Sequence, residues 1–320
     1  MLWSDMEMKA IVFDHYGGNE VLWVRDIQVP VPRPMDVLVA VRAASVNPVD
    51  WKVRYGMVRI FTGKKFPKVL GCECAGEVAA IGRGVTGFQK GDSVILLAGV
   101  RRLGAFAEYA CAHEKTIYPK PESISYEEAA CIPIAGLTAL QSLRDHGRIS
   151  ANSRVLINGA SGGVGHLAVQ IAKVMSAETT GVCSSENMDF VAGLGADRII
   201  DYTRENFTEG AERYDLIFDA VCSRTFSECR KVLSSRGIYV CTLPNRTIID
   251  QIITSVLPGK KARCMWVRPN VRDMEWMAGR IAEGRIRVFI QKVYSLDQAK
   301  EALAYSESGR AKGKVVLKVP

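Results

Sequence analysis

The stretch "LINGASGGVGHLAVQIAK", residues 156–173, decides the fold, and it carries two overlapping patterns. Gly159, Ser161 and Gly163 spell G-x-S-x-G, the turn that lifts a nucleophilic serine above the sheet of many hydrolases. Ala160, Gly162 and Gly165 spell A-x-G-x-x-G, a variant of the turn that wraps a dinucleotide pyrophosphate. The first needs a free hydroxyl and the second a covered backbone, so one turn cannot easily serve both.

The histidines decide between them. A hydrolase of this type needs an acid and then a histidine further along the chain than its serine. Of His15, His113, His146 and His166, only His166 follows Ser161, and it sits on the helix that begins at the turn. That is too near to return as a base, so the serine reading falls. For a dinucleotide, glycines let the backbone approach phosphate oxygens, and the helix that follows aims its free N–H groups and dipole at the anion. Apolar "VLI" (155–157) supplies the preceding buried strand, and Val164, Leu167, Ala168, Ile171, Ala172 and Met175 share one helical face.

Downstream of this turn, strand and helix alternate. Strand "TTGVC", helix "NMDFVAGL", strand "RII", strand "YDLIFDAV", helix "FSECRKVL" and strand "GIYVCT" predict a doubly wound parallel sheet. Upstream, residues 8 to 120 read as short strands, among them "DVLVAVRAA", "SVILLA" and "AFAEYACA", separated by Gly and Pro clusters; a compact β-barrel is the expected outcome. Ser125 with Glu128, and Ser295 with Gln298, form capping-box pairs that open helices. The closing "KVVLKV" reads as a strand returning to the first domain. The expected fold is α/β, a β-barrel domain (1–123 and 289–320) plus a Rossmann doubly wound parallel-sheet domain (124–288).

Composition is consistent with this. A chain of 320 residues, 48% hydrophobic and 24% charged, suits two ordered domains. It has no apolar run near the roughly 20 residues of a membrane span. The start "MLWSDMEMKAIVF" lacks a basic and then long apolar region, and nine scattered cysteines do not form a disulfide framework, so a reducing, cytoplasmic setting is expected. The net charge of +8, clustered at Lys64, Lys65 and Lys68 and at Lys260, Lys261 and Arg263, would attract phosphate-bearing ligands. Without aromatic-basic interleaving, nucleic acid is not expected as a partner.

The cofactor type is read about 20 residues beyond the turn. Cys183, Ser184, Ser185, Glu186 and Asn187 stand there. Two hydroxyls and an amide can donate to a 2′-phosphate, which favours NADPH, while Glu186 either opposes the phosphate or serves as a first-turn helix acid.

Seven stretches, in order, resemble the zinc-free quinone oxidoreductase branch of the medium-chain dehydrogenase/reductase superfamily. They are "AASVNPVDWKVRYG" (43–56), "LGCECAGEVAAIG" (70–82), "GDSV" (91–94), "IAGLTALQSL" (134–143), "ASGGVGHLAVQIAK" (160–173), "LGADRIIDY" (194–202) and "SGRAKGKVVLKV" (308–319). "NPVDWK" is most similar to the 2-alkenal reductase and plant-type quinone oxidoreductase subgroup.

The resemblance implies a GroES-like domain and a Rossmann domain with NADPH in the cleft between them. It assigns Gly162, Gly163, Val164 and Gly165 to the pyrophosphate and Ser184, Ser185 and Asn187 to the 2′-phosphate, although the family often carries lysine at position 187. Tyr202 falls near the adenosine, Thr242 and Leu243 beside the nicotinamide ribose, and Val267 near the carboxamide, with Thr138 and Asn47 also at the cofactor. Arg310 and Lys314, in the tail loop, would supply compensating charge. Zinc-dependent relatives carry ligands at the positions matching Asn47 and Cys72-Glu73. Asn47 is a poor zinc ligand, and Cys72, Glu73 and Cys131 fall short of a ligand set, so no metal is expected.

Without a Lewis acid, conjugate reduction is easier than alcohol oxidation. The expected substrate is a quinone or an α,β-unsaturated carbonyl, with Lys52 as donor to the developing enolate, Asn47 as a hydrogen-bonding partner and Tyr55 lining the pocket. A homodimer, through residues 250–267 at the sheet edge, is implied as well. Two other readings stay open: an NADPH-binding protein without useful catalysis that contacts RNA through its basic surface, and an enoyl reductase for carrier-bound thioesters.

Overall fold

A computed structural model of the chain describes residues 6–243 and 247–320. The first five residues of the "MLWSDMEMKAIVF" start lie outside the described residues. The chain divides into two compact units, one of Met1–Ile134, Pro269–Ala282 and Ile290–Pro320, the other of Ala135–Arg268 and Glu283–Phe289.

The second unit is built on a sheet of six strands among the described residues, all parallel. Across the sheet they run Arg198–Asp201, Glu178–Cys183, Arg154–Asn158, Tyr214–Asp219, Leu233–Cys241 and Lys261–Cys264. Numbered along the chain this is the order 3-2-1-4-5-6 of a dinucleotide-binding sheet. Its direction reverses between Arg154–Asn158 and Tyr214–Asp219, and ligands of such sheets bind outside the strand ends at that point. Leu156, Val182, Ile217, Val240 and Ala262 are buried in the strands, whose side chains are covered on both faces.

Helix Gly165–Val174 follows the first strand and buries Leu167, Ala168, Ile171 and Ala172 as its spacing predicts, together with His166, Val169 and Gln170. The expected helix over "FSECRKVL" is shorter, Phe226–Cys229, opened by Thr225 and Glu228 as a capping box. Tertiary pairing overrides the helical spacing after Cys229, because Leu233 enters the ladder against Tyr214 and starts the next strand.

The first unit is dominated by antiparallel strands. Asp36–Val46 pairs with Glu73–Ile81, Tyr109–His113 and Lys314–Lys318. The last pairing, Val315 with Val46 through Lys318 with Ala43, returns the chain end to the first domain. A smaller sheet joins Leu22–Gln28, Glu7–Phe13 and Lys68–Val69. Phe13, Leu22, Val39, Val41, Leu70, Leu96 and Phe106 form the buried centre. The expected capping boxes are present: the Ser125 backbone N–H donates to Glu128 at 2.9 Å and the Ser295 N–H to Gln298 at 3.0 Å. Among the described residues no helix is long and apolar enough to cross a membrane.

Candidate active site

The turn after Asn158 is shaped by what its glycines lack. Gly159 has φ 81°, a left-handed conformation that suits glycine. A Cβ on Gly165 would lie 2.0 Å from the Gly159 carbonyl oxygen, so strand end and helix start can touch only through bare backbone. A Cβ on Gly162 would meet that same oxygen at 3.4 Å, an ordinary contact, so its glycine is not demanded by packing within the turn. Gly162, Gly163 and Val164 are part-exposed and lead into the helix N-terminus, where the chemistry favours an anion.

His166 is buried and fully engaged. The Phe289 N–H donates to its Nε2 at 3.2 Å, so that nitrogen carries no proton, and Nδ1–H donates to the Gly162 carbonyl at 3.0 Å. A neutral, doubly bonded ring holds the turn and has no part in activating Ser161. At the switch point, buried Asp219 accepts from Asn158 Nδ2 at 2.8 Å and from Tyr239 Oη at 3.1 Å, and burial raises its carboxyl above the ordinary range.

Ser184, Ser185, Asn187 and Tyr202 gather around the ends of two neighbouring strands of the parallel sheet. The hydroxyl of Ser185 donates to Asp201, and the Asn187 amide donates to Ser184 Oγ at 3.1 Å. Asp201 also accepts from the Thr203 backbone and hydroxyl at 3.0 and 2.8 Å; these bonds, Ser185 first among them, hold its carboxyl below the usual value. Arg204 stands 3.5 Å away. Asp201 was not among the expected site residues, although it is visible as the last acid of "LGADRIID". Thr138 is buried, Thr242, Leu243 and Val267 are half-buried, and Tyr202 is exposed.

The barrel unit brings a second group together. Asn47 precedes helix Pro48–Arg54, whose first residue is a proline suited to that position. Its backbone N–H donates to Asp50 at 2.8 Å. Its side-chain Nδ2 donates to Glu73 Oε1 at 2.6 Å, and its Oδ1 accepts from Lys314 Nζ at 2.7 Å. Glu73 Oε2 accepts from the Ile134 N–H at 2.5 Å, and Lys314 lies 3.6 Å from Glu73. Asn47, Asp50, Glu73 and Lys314 are all buried. Lys314 is therefore not in a tail loop as expected: it opens the last strand and points its ammonium into the barrel, because two buried acceptors there need a cation. Burial pushes the Asp50 carboxyl up to about 7 and the Cys131 thiol up to about 12. Among the described residues no three His, Cys, Asp or Glu side chains converge to hold a metal ion.

Lys52 is on the same helix, half-buried, with its ammonium 5.2 Å from the Trp51 ring centroid. Tyr55 caps the helix and is 44% exposed, with the Arg54 guanidinium 4.5 Å from its ring centroid. The helix is anchored by fully buried Arg54, which donates to Glu307 at 2.9 Å and to the Gly17 carbonyl at 3.2 Å. Arg310 is exposed. The basic clusters are partly spent on the chain itself: Lys260 and Lys261 donate to the Arg230 and Thr254 carbonyls at 2.6 Å.

A parallel 3-2-1-4-5-6 sheet with a bare glycine turn, joined in sequence to a barrel that carries a charged helix, gives a two-domain chain whose sheet is of the dinucleotide-binding class. Two family descriptions match the chain, Alcohol dehydrogenase GroES-like domain over residues 33–122 and Zinc-binding dehydrogenase over residues 194–317. The chain is 34% identical to the chloroplast envelope quinone oxidoreductase homolog of Arabidopsis thaliana, covering 97% of this chain and 98% of that one. It is 32% identical to the chloroplastic NADPH-dependent alkenal/one oxidoreductase of the same plant, over 97% of this chain and 79% of that one. The solved structure of the quinone oxidoreductase from Coxiella burnetii superposes with a TM-score of 0.92 at 32% identity, covering 98% of this chain and 100% of that one. The chain belongs to the medium-chain dehydrogenase/reductase superfamily, beside proteins named quinone oxidoreductase and alkenal reductase, and is an NAD(P)H-dependent oxidoreductase.

Proposed function

We propose that the chain reduces quinones and α,β-unsaturated carbonyls with NADPH, without zinc. The observation that carries this reading is the Lys314 ammonium bonded to Asn47 beside Glu73, where the resemblance places the zinc ligands of other relatives. A fixed cation fills that position, and a second one would be repelled at this distance. The residues present do not fit a zinc ion.

They do suit a dinucleotide, because the part-exposed glycine backbone of the turn leads into the N-terminus of helix Gly165–Val174, whose free N–H groups favour an anion. Gly162, Gly163, Val164 and Gly165 would hold the pyrophosphate, Ser184, Ser185, Asn187 and Tyr202 the adenosine phosphate end, and Thr138, Thr242, Leu243 and Val267 the nicotinamide half, and Arg310 would supply compensating charge. When bound, NADPH supplies a hydride to the substrate's β-carbon or quinone ring. Lys52 donates a hydrogen bond, and then a proton, to the oxygen that gains charge. Tyr55 lines the substrate pocket. Asn47, with both ends of its side chain bonded inside the barrel, fixes the start of the helix that carries Lys52.

Helix Thr247–Val256 exposes Ile248, Ile249, Ile252, Ile253 and Val256 next to the edge strand Lys261–Cys264, an apolar face suited to a two-fold partner copy. A homodimer and a reducing, cytoplasmic setting complete the proposal. Incubation with NADPH and a panel of small enones and quinones should oxidise the cofactor, faster than with NADH; no turnover across the panel contradicts the reading. Lys52→Ala should lower kcat about 100-fold, whereas unchanged kcat and KM would remove Lys52 from the mechanism.

A further inference from the structure

The parallel sheet carries a thiol pair for which the proposed reduction has no use. Cys222 lies in the loop after strand Tyr214–Asp219, and Cys241 ends the neighbouring strand. Their sulfurs are 2.6 Å apart, against about 2.05 Å for a disulfide bond. The loop is held for this approach. The Asp219 carboxylate accepts from the backbone N–H of Cys222 at 2.8 Å and of Arg224 at 3.0 Å, and Cys222 adopts φ 55°, a left-handed conformation uncommon outside glycine. Cys222 is half-buried and Cys241 fully buried, so a small oxidant reaches the pair from the Cys222 side.

We propose that Cys222 and Cys241 form a peroxide-sensitive dithiol whose closure to a disulfide weakens dinucleotide binding. The Cys241 thiolate attacks one oxygen of a hydroperoxide and breaks the O–O bond, giving a sulfenic acid and, with a proton taken up, releasing the alcohol, or water from hydrogen peroxide. The Cys222 sulfur then attacks the oxidised sulfur, the S–S bond forms and water leaves with the Cys222 proton. Two thiol hydrogens and two electrons pass to the peroxide, so the balance closes with that oxidant alone.

The thiols are arranged for the first step. The short contact between the sulfurs lowers the Cys241 thiol to about 7 and pushes the Cys222 thiol up, so Cys241 is the sulfur that ionises first.

The consequence for binding rests on the proposed place of Thr242 and Leu243 beside the nicotinamide ribose. Cys222 Sγ is 3.2 Å from Thr242 Oγ1, while Cys241 and Cys264 donate to the Leu243 carbonyl at 3.7 and 3.4 Å. Drawing the two sulfurs to bonding distance turns the Cys241 sulfur away from that carbonyl and shifts the Thr242 contact.

The test treats the reduced full chain with hydrogen peroxide, maps the thiols by peptide mass spectrometry and titrates NADPH before and after. A peptide pair linked through Cys222 and Cys241, reversed by dithiothreitol, with NADPH affinity about tenfold weaker in the linked form, supports the proposal. Cys222→Ser should abolish both the link and the peroxide effect. Oxidation of either cysteine to sulfinic acid without a link overturns the dithiol, and a link that leaves NADPH affinity unchanged overturns its coupling to binding. If the reduced chain binds no NADPH, the functional reading fails, and the peptide map alone still decides whether the dithiol closes.

Discussion

The glycine turn of the parallel sheet and the buried cluster of the barrel are built on opposite principles. The turn, residues 159–165, works by absent atoms: side chains are missing where backbone must approach backbone. The cluster works by present ones, with Asn47, Asp50, Glu73 and Lys314 packed out of water and bonded to one another. The first requirement is local and leaves a mark on contiguous sequence. The second assembles segments distant in the chain and leaves no spacing to read.

The largest effect is expected in the cluster. Lys314→Met strips the cation from between Asn47 and buried Glu73, and should cost about 3 kcal/mol of stability, read as a lowered denaturant midpoint at unchanged m-value. If stability is unaffected, the cluster does not depend on its charge and the contrast with the turn weakens. Gly165→Ala comes next. Its Cβ, 2.0 Å from the Gly159 oxygen, should force the strand and helix ends apart at about 2 kcal/mol.

Gly162→Ala separates folding from binding within the same turn. With 3.4 Å available, the melting temperature should barely move, while NADPH affinity should fall about tenfold, roughly 1.4 kcal/mol, because the added carbon stands where phosphate oxygens approach. Equal affinity for both proteins would show that position 162 does not face the cofactor.

The smallest effect is the pH dependence set by Asp50. Burial raises this carboxyl from 3.8 to about 7, with Cys72, Glu73 and Lys314 as the other ionisable groups facing it. The folded chain therefore binds this proton more tightly than the unfolded chain. Its contribution to stability is complete below about pH 4 and is lost as the pH rises towards 7. Asp50→Asn should flatten melting temperature against pH across that window, and an unchanged slope would place the titration elsewhere.

Much of the parallel sheet was legible in the sequence. Apolar runs of strand length, the glycine turn and the helical spacing after it predicted a parallel sheet and five of its six strands, while the edge strand Lys261–Cys264 went unread. The helix over "FSECRKVL" was misread because Leu233 satisfies a helical face and a strand ladder equally, and only pairing with Tyr214 decides. Lys314 was misplaced for a related reason: "KGKVVL" shows a basic turn, while burial of its first strand residue depends on acceptors more than 200 residues earlier. Asp201 and Asp219 ended strands as ordinary acids in the sequence. Their roles appear only when neighbouring strands bring Ser185 to one and Asn158 with Tyr239 to the other.

The most direct measurement is turnover of NADPH with an active enone after exhaustive dialysis against a strong chelator. With Lys314 as the fixed cation beside Asn47 and Glu73, the rate should equal that of the untreated protein, and added zinc should not raise it. A rate lost on chelation and restored by zinc would contradict the assignment of this cluster.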